Sequence, residues 1–228
     1  MRELAGPPPA GMPLPSIVAR LAGTGDVEPV WLNLDGGLTV RLGERYLKWL
    51  PAGFSLDAER ERLEWAAVFH PVPTVLEHGT SDGGDWMLTA AIDAASAVSL
   101  ASDPRTAAVA LGEGLRALHE NLPVEWCPFD WTAGSRGGID APPVDQLVVA
   151  HGDACLPNTL VDSSGRWIAH VDLGSLGSAD RWADLAVASM SLDWNVGEGW
   201  QPTFFAAYGV APDEERIRYY RALWDLPA

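Results

Sequence analysis

Residues 151–158 read His-Gly-Asp-Ala-Cys-Leu-Pro-Asn, and the apolar run Leu147-Val148-Val149-Ala150 leads directly into them. A short apolar run of this kind is typical of a buried strand. The loop after it carries an aspartate, Asp153, and an asparagine five positions later, Asn158. After a predicted hairpin comes a second carboxylate, in Asp172-Leu173-Gly174. The pattern therefore predicts a carboxylate and an amide on one loop rim, with another carboxylate facing them.

This combination suits phosphoryl transfer, which depends on in-line positioning and on metal ions that neutralise charge on the phosphates. Asp153 is the candidate catalytic carboxylate beside the attacking hydroxyl, and Asn158 and Asp172 are the candidate Mg²⁺ ligands. Mg²⁺ prefers oxygen ligands and keeps several waters, so two protein oxygens plus ATP are sufficient. His151 is the other candidate catalytic residue, and we expect it to orient the loop by hydrogen bonding. Each residue alone would be an ordinary turn or capping residue, so the prediction rests on the combination.

Composition excludes several classes of protein. The chain has 228 residues, 47% hydrophobic and 20% charged, which indicates a globular protein. No stretch approaches the roughly 20 apolar residues of a membrane span, and the Pro/Gly-rich residues 1–15 lack the pattern of a signal peptide. Two cysteines offer no disulfide framework, so we expect a cytoplasmic location. The net charge of −16 argues against nucleic acid and suits a cationic small molecule, although simple solubility also explains it.

Along the chain the pattern changes from strands to helices near Ile92, which predicts an α+β fold. Short alternating runs separated by Gly/Asp turns indicate strands in the first part, with one charged amphipathic helix among them. The predicted strands are 30–34, 38–42, 46–50, 75–77, 86–89, 147–150, 159–161 and 167–171. The predicted helices are 55–69, 104–121, 180–192, 203–208 and 213–224.

The segments His151 to Asn158 and Asp172 to Asp184 resemble the signature of aminoglycoside 3′-phosphotransferases, the kanamycin kinases. The resemblance continues at Cys127-Pro128-Phe129-Asp130 and at Tyr208-Gly209-Val210, and in weaker form it spans almost the whole chain. It implies a bilobal protein-kinase-like fold, with a nucleotide-binding lobe over residues 1–92 and a helical catalytic and acceptor-binding lobe over residues 93–228. It also implies an ATP- and Mg²⁺-dependent O-phosphotransferase that confers antibiotic resistance.

The resemblance assigns the ATP-binding residues. Lys48 takes the position of the phosphate-binding lysine, and Glu59 on the following helix is its partner. Tyr46 lies on the same strand face as Lys48 and is a candidate for stacking on adenine or an ordinary packed aromatic. The resemblance places backbone contacts at Gly36 and Gly37 in the nucleotide loop and at Ala90 and Ile92 in the hinge. Asp184 is expected to hold the backbone of the catalytic loop.

The acceptor side departs from the family pattern. Only 20 residues separate Asp130 from His151, where the family usually carries a longer helical insert. Ser175 stands where the family usually has arginine. The acidic pair expected near Trp194 is absent. The carboxylates that could bind the acceptor instead are Asp193, Glu198 and Asp225.

Two alternatives remain open on the sequence. One is a kinase of another small alcohol or amine, such as a macrolide, a choline-like amine or a sugar, because the acceptor region is altered. The other is a non-catalytic nucleotide-binding module, which retention of Lys48, Asp153 and Asn158 argues against. A protein kinase does not fit, because no long activation segment with an Ala-Pro-Glu ending follows Asp172.

Overall fold

The structure is a computed structural model that describes residues 6–131 and 141–224. The chain divides into two compact units. One unit is the chain up to Glu64 together with Pro73–Ile92, and the other is Trp65–Val72 together with the chain from Asp93 onward.

Residues 65–72 group with the second unit, whereas the sequence-based boundary assigns all of residues 1–92 to the first lobe. An aromatic contact shows why. The ring of Trp65 meets the ring of Phe129 edge-on, with 5.9 Å between their centroids. Aromatic side chains bury much apolar surface, and this contact favours association of Trp65 with the residues around Phe129.

The first unit is built on a five-stranded antiparallel sheet in the order β1-β2-β3-β5-β4. Its strands are β1 (Glu28–Leu32), β2 (Leu38–Arg41), β3 (Arg45–Leu50), β4 (Val75–Ser81) and β5 (Gly84–Ala90). Its helices are α1 (Ser16–Ala22) and α2 (Asp57–Ala66), the last two residues of α2 belonging to the second unit. The β4–β5 turn has both central residues, Asp82 and Gly83, in left-handed conformations, which fits a tight hairpin.

Helix α1 was not predicted from the sequence. Its buried Ile17 and Val18 pack with Leu47, Val40 and Leu88 of the sheet in one hydrophobic cluster. The helix has only seven residues, too few for a clear helical period, so its position depends on this packing. The segment before it is rich in proline and glycine, and the pattern suggests a flexible start to the chain, but Met12 and Leu14 pack against the same cluster.

The second unit holds the remaining elements. Its strands are β6 (Ala95–Ser96), β7 (Leu147–Ala150), β8 (Thr159–Val161), β9 (Trp167–His170) and β10 (Gly177–Asp180). Its helices are α3 (Pro104–Asn121), α4 (Trp182–Val196), α5 (Gln201–Tyr208) and α6 (Glu214–Trp224). Strands β10 and β7 form one antiparallel pair, and β6, β8 and β9 form a three-stranded antiparallel sheet.

The core of the second unit lies among its helices and the β7–β10 pair. Leu111 and Leu115 of α3 pack with Leu185 of α4 and Phe204 of α5. Gly112 permits this closeness, because a Cβ there would lie 2.6 Å from the carbonyl oxygen of Phe204. The helix α3 begins as predicted, with Asp103 accepting a hydrogen bond from the amide of Thr106.

The predicted α+β class is confirmed, and every predicted strand and helix has a counterpart in the structure. Helix α3 and strands β7 and β8 have the predicted bounds, whereas the ends of the others are shifted. Strands β6 and β10 were not predicted. Within the described residues, no helix is long and apolar enough to cross a membrane.

Candidate active site

Strand β7 delivers the chain to His151, and a buried carboxylate on α4 holds the loop that begins there. The amide of His151 donates to Oδ2 of Asp184 at 2.6 Å, and the amide of Gly152 donates to Oδ1 at 2.9 Å. Asp184 is fully buried in the first turn of α4, where the helix dipole favours a negative charge. The expected role of Asp184 in holding the loop backbone is confirmed by these two bonds.

Both ring nitrogens of His151 form hydrogen bonds with backbone groups. Its Nδ1 accepts a hydrogen bond from the amide of Asp153 at 3.3 Å, so Nε2 carries the proton and donates to the carbonyl oxygen of Val171 at 3.0 Å. The residue is fully buried. His151 thus links the start of the loop to the strand that precedes Asp172.

Asp153 and Asn158 are in direct contact. Nδ2 of Asn158 donates to Oδ2 of Asp153 at 3.0 Å and to its carbonyl oxygen at 3.1 Å. These bonds join the two ends of the loop from Asp153 to Asn158. Because Nδ2 of Asn158 faces Asp153, its amide oxygen points away from the Asp153 carboxylate. An amide oriented this way presents an oxygen, the atom that Mg²⁺ prefers.

Asp172 is brought close to this pair through the backbone. The amide of Val171 donates to the carbonyl oxygen of Asn158 at 3.0 Å, which extends the β8–β9 pairing up to Asp172. Asp172 has φ of 66°, a left-handed conformation that is uncommon outside glycine. The next residue, Leu173, is fully buried, so it anchors the turn while Asp172 stays exposed.

The electrostatics of Asp153 agree with this closeness. Burial raises the pKa of Asp153 above the ordinary value for an aspartate, and the negative charges of Asp172 and Asp184 raise that pKa further. His151 and the hydrogen bond from Asn158 act in the opposite direction. A carboxylate with a raised pKa is a stronger proton acceptor than an ordinary aspartate, which suits a general base.

Gly152 allows two segments to meet. Its φ is 84°, and a Cβ added there would lie 2.3 Å from the carbonyl oxygen of Ser175 and 2.6 Å from the Cβ of Ser175. Only glycine therefore fits where the loop passes the turn that follows Asp172. Ser175 itself is exposed beside the loop.

In the first unit, Lys48 on β3 forms an ion pair with Glu59 on α2, with 2.7 Å between Nζ and Oε2. The two side chains are mostly buried, at 20% and 12% exposure, so water screens the pair weakly. Lys48 is also the only lysine of the chain, whose other cationic side chains are arginines. A single lysine in a chain of this length is a signal in the sequence, and the prediction for Lys48 did not depend on it.

The other nucleotide-site predictions lie in the same unit. Tyr46 is on β3 beside Arg41, whose guanidinium carbon lies 6.0 Å from the centre of the Tyr46 ring. The amide of Gly36 donates to the carbonyl oxygen of Asn33 within the β1–β2 turn, and Gly37 accepts from the amide of Asn33. Ala90 ends β5 and Ile92 follows it, and the amide of Ala90 donates to the carbonyl oxygen of Thr74 at 2.9 Å.

The predicted acceptor carboxylates are only partly described. Asp193 lies on α4 and accepts from Nε2 of Gln201 at 2.5 Å, while its Oδ1 is buried with no hydrogen-bond partner. Glu198 is exposed in the loop after α4. Asp225 lies outside the described residues. So do residues 132–140 of the short segment between Asp130 and His151.

Sequence reasoning missed three side chains that support the loop from other helices. His119 of α3 and Tyr208 of α5 lie behind Asp184, and Ser191 of α4 accepts from the amide of Leu156 at 2.9 Å. The sequence carries no local signal for them, because each acts on a residue at least 30 positions away.

A model of the phosphotransferase enzyme family matches residues 138–220. The chain is 32% identical to the streptomycin 3''-kinase of Streptomyces griseus, with 87% of this chain and 95% of that protein covered. It is also 32% identical to the aminoglycoside 3'-phosphotransferase of Streptomyces fradiae, with 79% and 84% covered.

Solved structures show the same fold. The aminoglycoside phosphotransferase APH(3'')-Id of Streptomyces rimosus superposes with a TM-score of 0.75 at 28% identity, covering 91% of this chain and 95% of that one. A second structure of it, in complex with ADP and streptomycin, gives a TM-score of 0.72. A choline/ethanolamine kinase family protein of Mesorhizobium loti gives 0.68 at 21% identity over 92% of this chain and 81% of that one, which shows the kinase-like fold alone. The predicted resemblance is confirmed: this chain belongs to the aminoglycoside phosphotransferase family of phosphotransferase enzymes.

Proposed function

We propose that this protein transfers the γ-phosphate of ATP to a hydroxyl group of an aminoglycoside, and so confers resistance to such antibiotics. The observation that carries the proposal is the hydrogen-bonded pair of Asn158 and Asp153, at 3.0 Å, on a loop held by a buried carboxylate. Such a loop provides an acidic group and an amide oxygen in a fixed relation, as phosphoryl transfer requires.

Asp153 is the proposed catalytic carboxylate. It orients the acceptor hydroxyl and accepts its proton as the oxygen attacks the phosphorus atom. His151 is a positioning residue in this scheme, because both of its ring nitrogens bind backbone groups. By these two hydrogen bonds His151 fixes the position of the Asp153 amide relative to the carbonyl group of Val171.

Asn158 and Asp172 are the proposed ligands of Mg²⁺, and their chemistry fits it. Both offer oxygen, and Nδ2 of Asn158 already donates to Asp153, which leaves the amide oxygen for the metal. Among the residues that the structure describes, no group of three or more His, Cys, Asp and Glu side chains could hold a metal. The few protein ligands suit Mg²⁺, which keeps waters and phosphate oxygens as its other ligands. When bound, the ion neutralises charge on the phosphates.

Lys48 is the proposed partner of the α- and β-phosphates, with Glu59 holding its ammonium group. Tyr46 is proposed to stack on adenine, and Gly37 to line the phosphates with its backbone. Gly36 contributes the left-handed turn rather than a free amide, because its amide is bonded to Asn33. Ala90 and Ile92 are the proposed hinge contacts to adenine.

The acceptor is proposed to be cationic. The net charge of −16 favours polyamine ligands, and relatives bear names of aminoglycoside kinases. Asp193 and Glu198 are the proposed carboxylates for the acceptor among the described residues, with Asp225 a further candidate. Two free cysteines, Cys127 and Cys155, suit the reducing cytoplasm, where ATP is available.

The test is ADP release with Mg-ATP and each of streptomycin, kanamycin and a neutral alcohol, comparing the natural protein with Asp153→Asn. Turnover with an aminoglycoside should fall on the order of 10²-fold or more in Asp153→Asn. The matched control is Asp26→Asn, an exposed aspartate of the first unit, which should leave the rate unchanged.

The set of acceptors that support turnover identifies the substrate class. Turnover with streptomycin alone would point to a 3''-kinase, and turnover with kanamycin to a 3'-phosphotransferase. Preference for the neutral alcohol would overturn the aminoglycoside assignment. Nucleotide binding without turnover on any acceptor, insensitive to Asp153→Asn, would indicate a non-catalytic module.

A further inference from the structure

A buried polar chain connects three helices behind the catalytic loop. The hydroxyl of Tyr208, the last residue of α5, lies 2.8 Å from Nδ1 of His119 on α3. Nε2 of the same histidine lies 3.0 Å from Oδ2 of Asp184 on α4. The side chains of His119 and Asp184 are 2% and 1% exposed, so solvent does not compete for these bonds.

The direction of the hydrogen bonds follows from the chemistry of the three groups. Asp184 is an acceptor, so Nε2 of His119 carries a proton and donates it. In the neutral ring, Nδ1 then accepts from the Tyr208 hydroxyl. Burial raises the pKa of Tyr208 to about 12, so this hydroxyl keeps its proton at neutral pH. The order of donation is therefore Tyr208 to His119 to Asp184.

Asp184 receives these bonds at the same oxygens that hold the loop. Oδ2 accepts from both His119 Nε2 and the amide of His151, and Oδ1 accepts from the amide of Gly152. Burial raises the pKa of Asp184, but the hydrogen bonds from His119 and from the Gly152 amide, together with the neighbouring His151, outweigh it, and the net pKa is lowered. The carboxylate stays ionised and the angle of its plane is set by three donors.

We propose that His119, itself oriented by Tyr208, is a positioning residue for phosphoryl transfer: it fixes the rotation of the Asp184 carboxylate and thereby the backbone that places Asp153. The inference rests on the proposed catalytic role of Asp153. Neither His119 nor Tyr208 touches the reacting groups, since each acts through Asp184. Without His119 the carboxylate has only the two loop amides and can rotate, so the loop samples positions in which Asp153 is misplaced.

Three substitutions distinguish the effect of the hydrogen bond at Nδ1 of His119 from that of the hydrogen bond at Nε2. His119→Leu removes both hydrogen bonds. His119→Gln retains a donor at about the distance of Nε2 and loses the bond to Tyr208. Tyr208→Phe removes only the hydroxyl. Because none of them alters Lys48 or Glu59, the KM for Mg-ATP should stay within about twofold while kcat falls.

The first measurement is amide hydrogen exchange of His151 and Gly152 by NMR, which requires neither substrate nor turnover. We expect His119→Leu to speed exchange at these amides about 10-fold or more, with His119→Gln and Tyr208→Phe, which both keep a donor to Asp184, each lying between His119→Leu and the natural protein. The amides of Leu111 and Leu115 in α3 should exchange as before, which reports that the helix remains folded. In the enzymatic assay, kcat should fall about 10- to 100-fold in His119→Leu and recover most of the way in His119→Gln.

Two results would overturn the inference. One is unchanged exchange at His151 and Gly152 in His119→Leu. The other is a uniform increase over α3 and the loop, equal in His119→Leu and His119→Gln, because it would make the histidine an ordinary core residue. If His119→Leu does not fold, Tyr208→Phe carries the same comparison. Absence of aminoglycoside turnover in the natural protein would refute the proposed function instead, since the exchange result does not depend on it.

Discussion

Lys48 Nζ lies 2.7 Å from Glu59 Oε2, and this lysine is the only one among 228 residues. The pair joins β3 to α2 inside the first unit. Apart from histidine, every other cationic side chain of this sequence is an arginine, whose planar guanidinium differs from the compact ammonium at residue 48. A point charge with three rotatable donors suits phosphate oxygens, and the partner carboxylate keeps it in one rotamer.

Replacing Lys48 with methionine should lower kcat/KM for Mg-ATP about 10- to 100-fold, because a hydrogen bond to a charged group contributes about 1.5–3 kcal/mol. Steady-state ADP release at varied ATP measures it. Glu59→Gln should have a smaller effect, because the ammonium remains. In the natural protein, saturating Mg-ATP should also slow acylation of this single ε-amine. Unchanged kcat/KM together with no protection would refute the role of Lys48.

Substitution of Gly152 by alanine should destabilise the protein by about 2 kcal/mol or more. A left-handed conformation costs an alanine about 1–2 kcal/mol, and its Cβ would also collide with the backbone of Ser175. The control is Gly209→Ala, where φ is 94° in the left-handed region and the atom nearest to the added Cβ is Nη1 of Arg116 at 3.8 Å, an ordinary contact. Urea unfolding monitored by tryptophan fluorescence compares the two. Equal losses at both positions would mean that the contact with Ser175 has no energetic weight.

Asn158→Asp should move the acidic limb of the rate profile to higher pH, by on the order of one unit. The hydrogen bond from Asn158 lowers the pKa of Asp153, and the variant removes that bond and adds a negative charge. The base form of Asp153 then appears only at higher pH, so the ratio of rates at pH 6 and pH 8 falls. The profile of kcat/KM measures this.

Asn195→Asp places the same charge on α4, away from the Asp153 contact, and should leave the pH profile where it was. If both variants shift the limb equally, the direct bond between Asn158 and Asp153 does not control the ionisation.

The stability of the protein should fall as the pH drops from 7 to 5. Burial, with smaller effects of His151 and His119, lowers the pKa of His70 from 6.5 to about 4. In the unfolded chain His70 therefore becomes protonated near pH 6.5, whereas in the folded chain it becomes protonated only near pH 4. The corresponding stability is present above pH 6.5 and is lost as the pH falls, by about 2 kcal/mol between pH 7 and pH 5.

His70→Gln should reduce this pH dependence, because the titrating group is gone. His78→Gln on the exposed edge strand β4 is the control. Urea midpoints at both pH values measure the effect. An identical loss of stability in His70→Gln and the natural protein would show that the buried ring does not govern it.

Much of the site was predictable because its chemistry is local in the chain. Asp153 and Asn158 are five residues apart, and a loop of that length can bring them into direct contact, as in the 3.0 Å hydrogen bond between them. The partnership of Lys48 and Glu59 followed from the family resemblance, and the strand and helix that carry them were visible as patterns. The resemblance also supplied Asp184.

The rest depended on contacts between distant segments. Strand β10 has the sequence Gly-Ser-Ala-Asp, which carries no strand pattern, and it is a strand because it pairs with β7. Helix α1 is too short to be recognised and exists by packing on the sheet. The use of the Gly36 amide within its own turn also could not be read from a Gly-Gly pair.

The sequence by itself therefore determined the reaction class and the identity of the groups in the loop, since those depend on residue types at short spacing. Tertiary structure decided how rigidly the loop is held. His119, Asp184 and Tyr208 come from three helices and meet only in the folded core, 65 and 89 residues apart from His119. The reason is physical: a buried hydrogen bond between distant residues requires the packing that excludes water, and no local pattern records that packing.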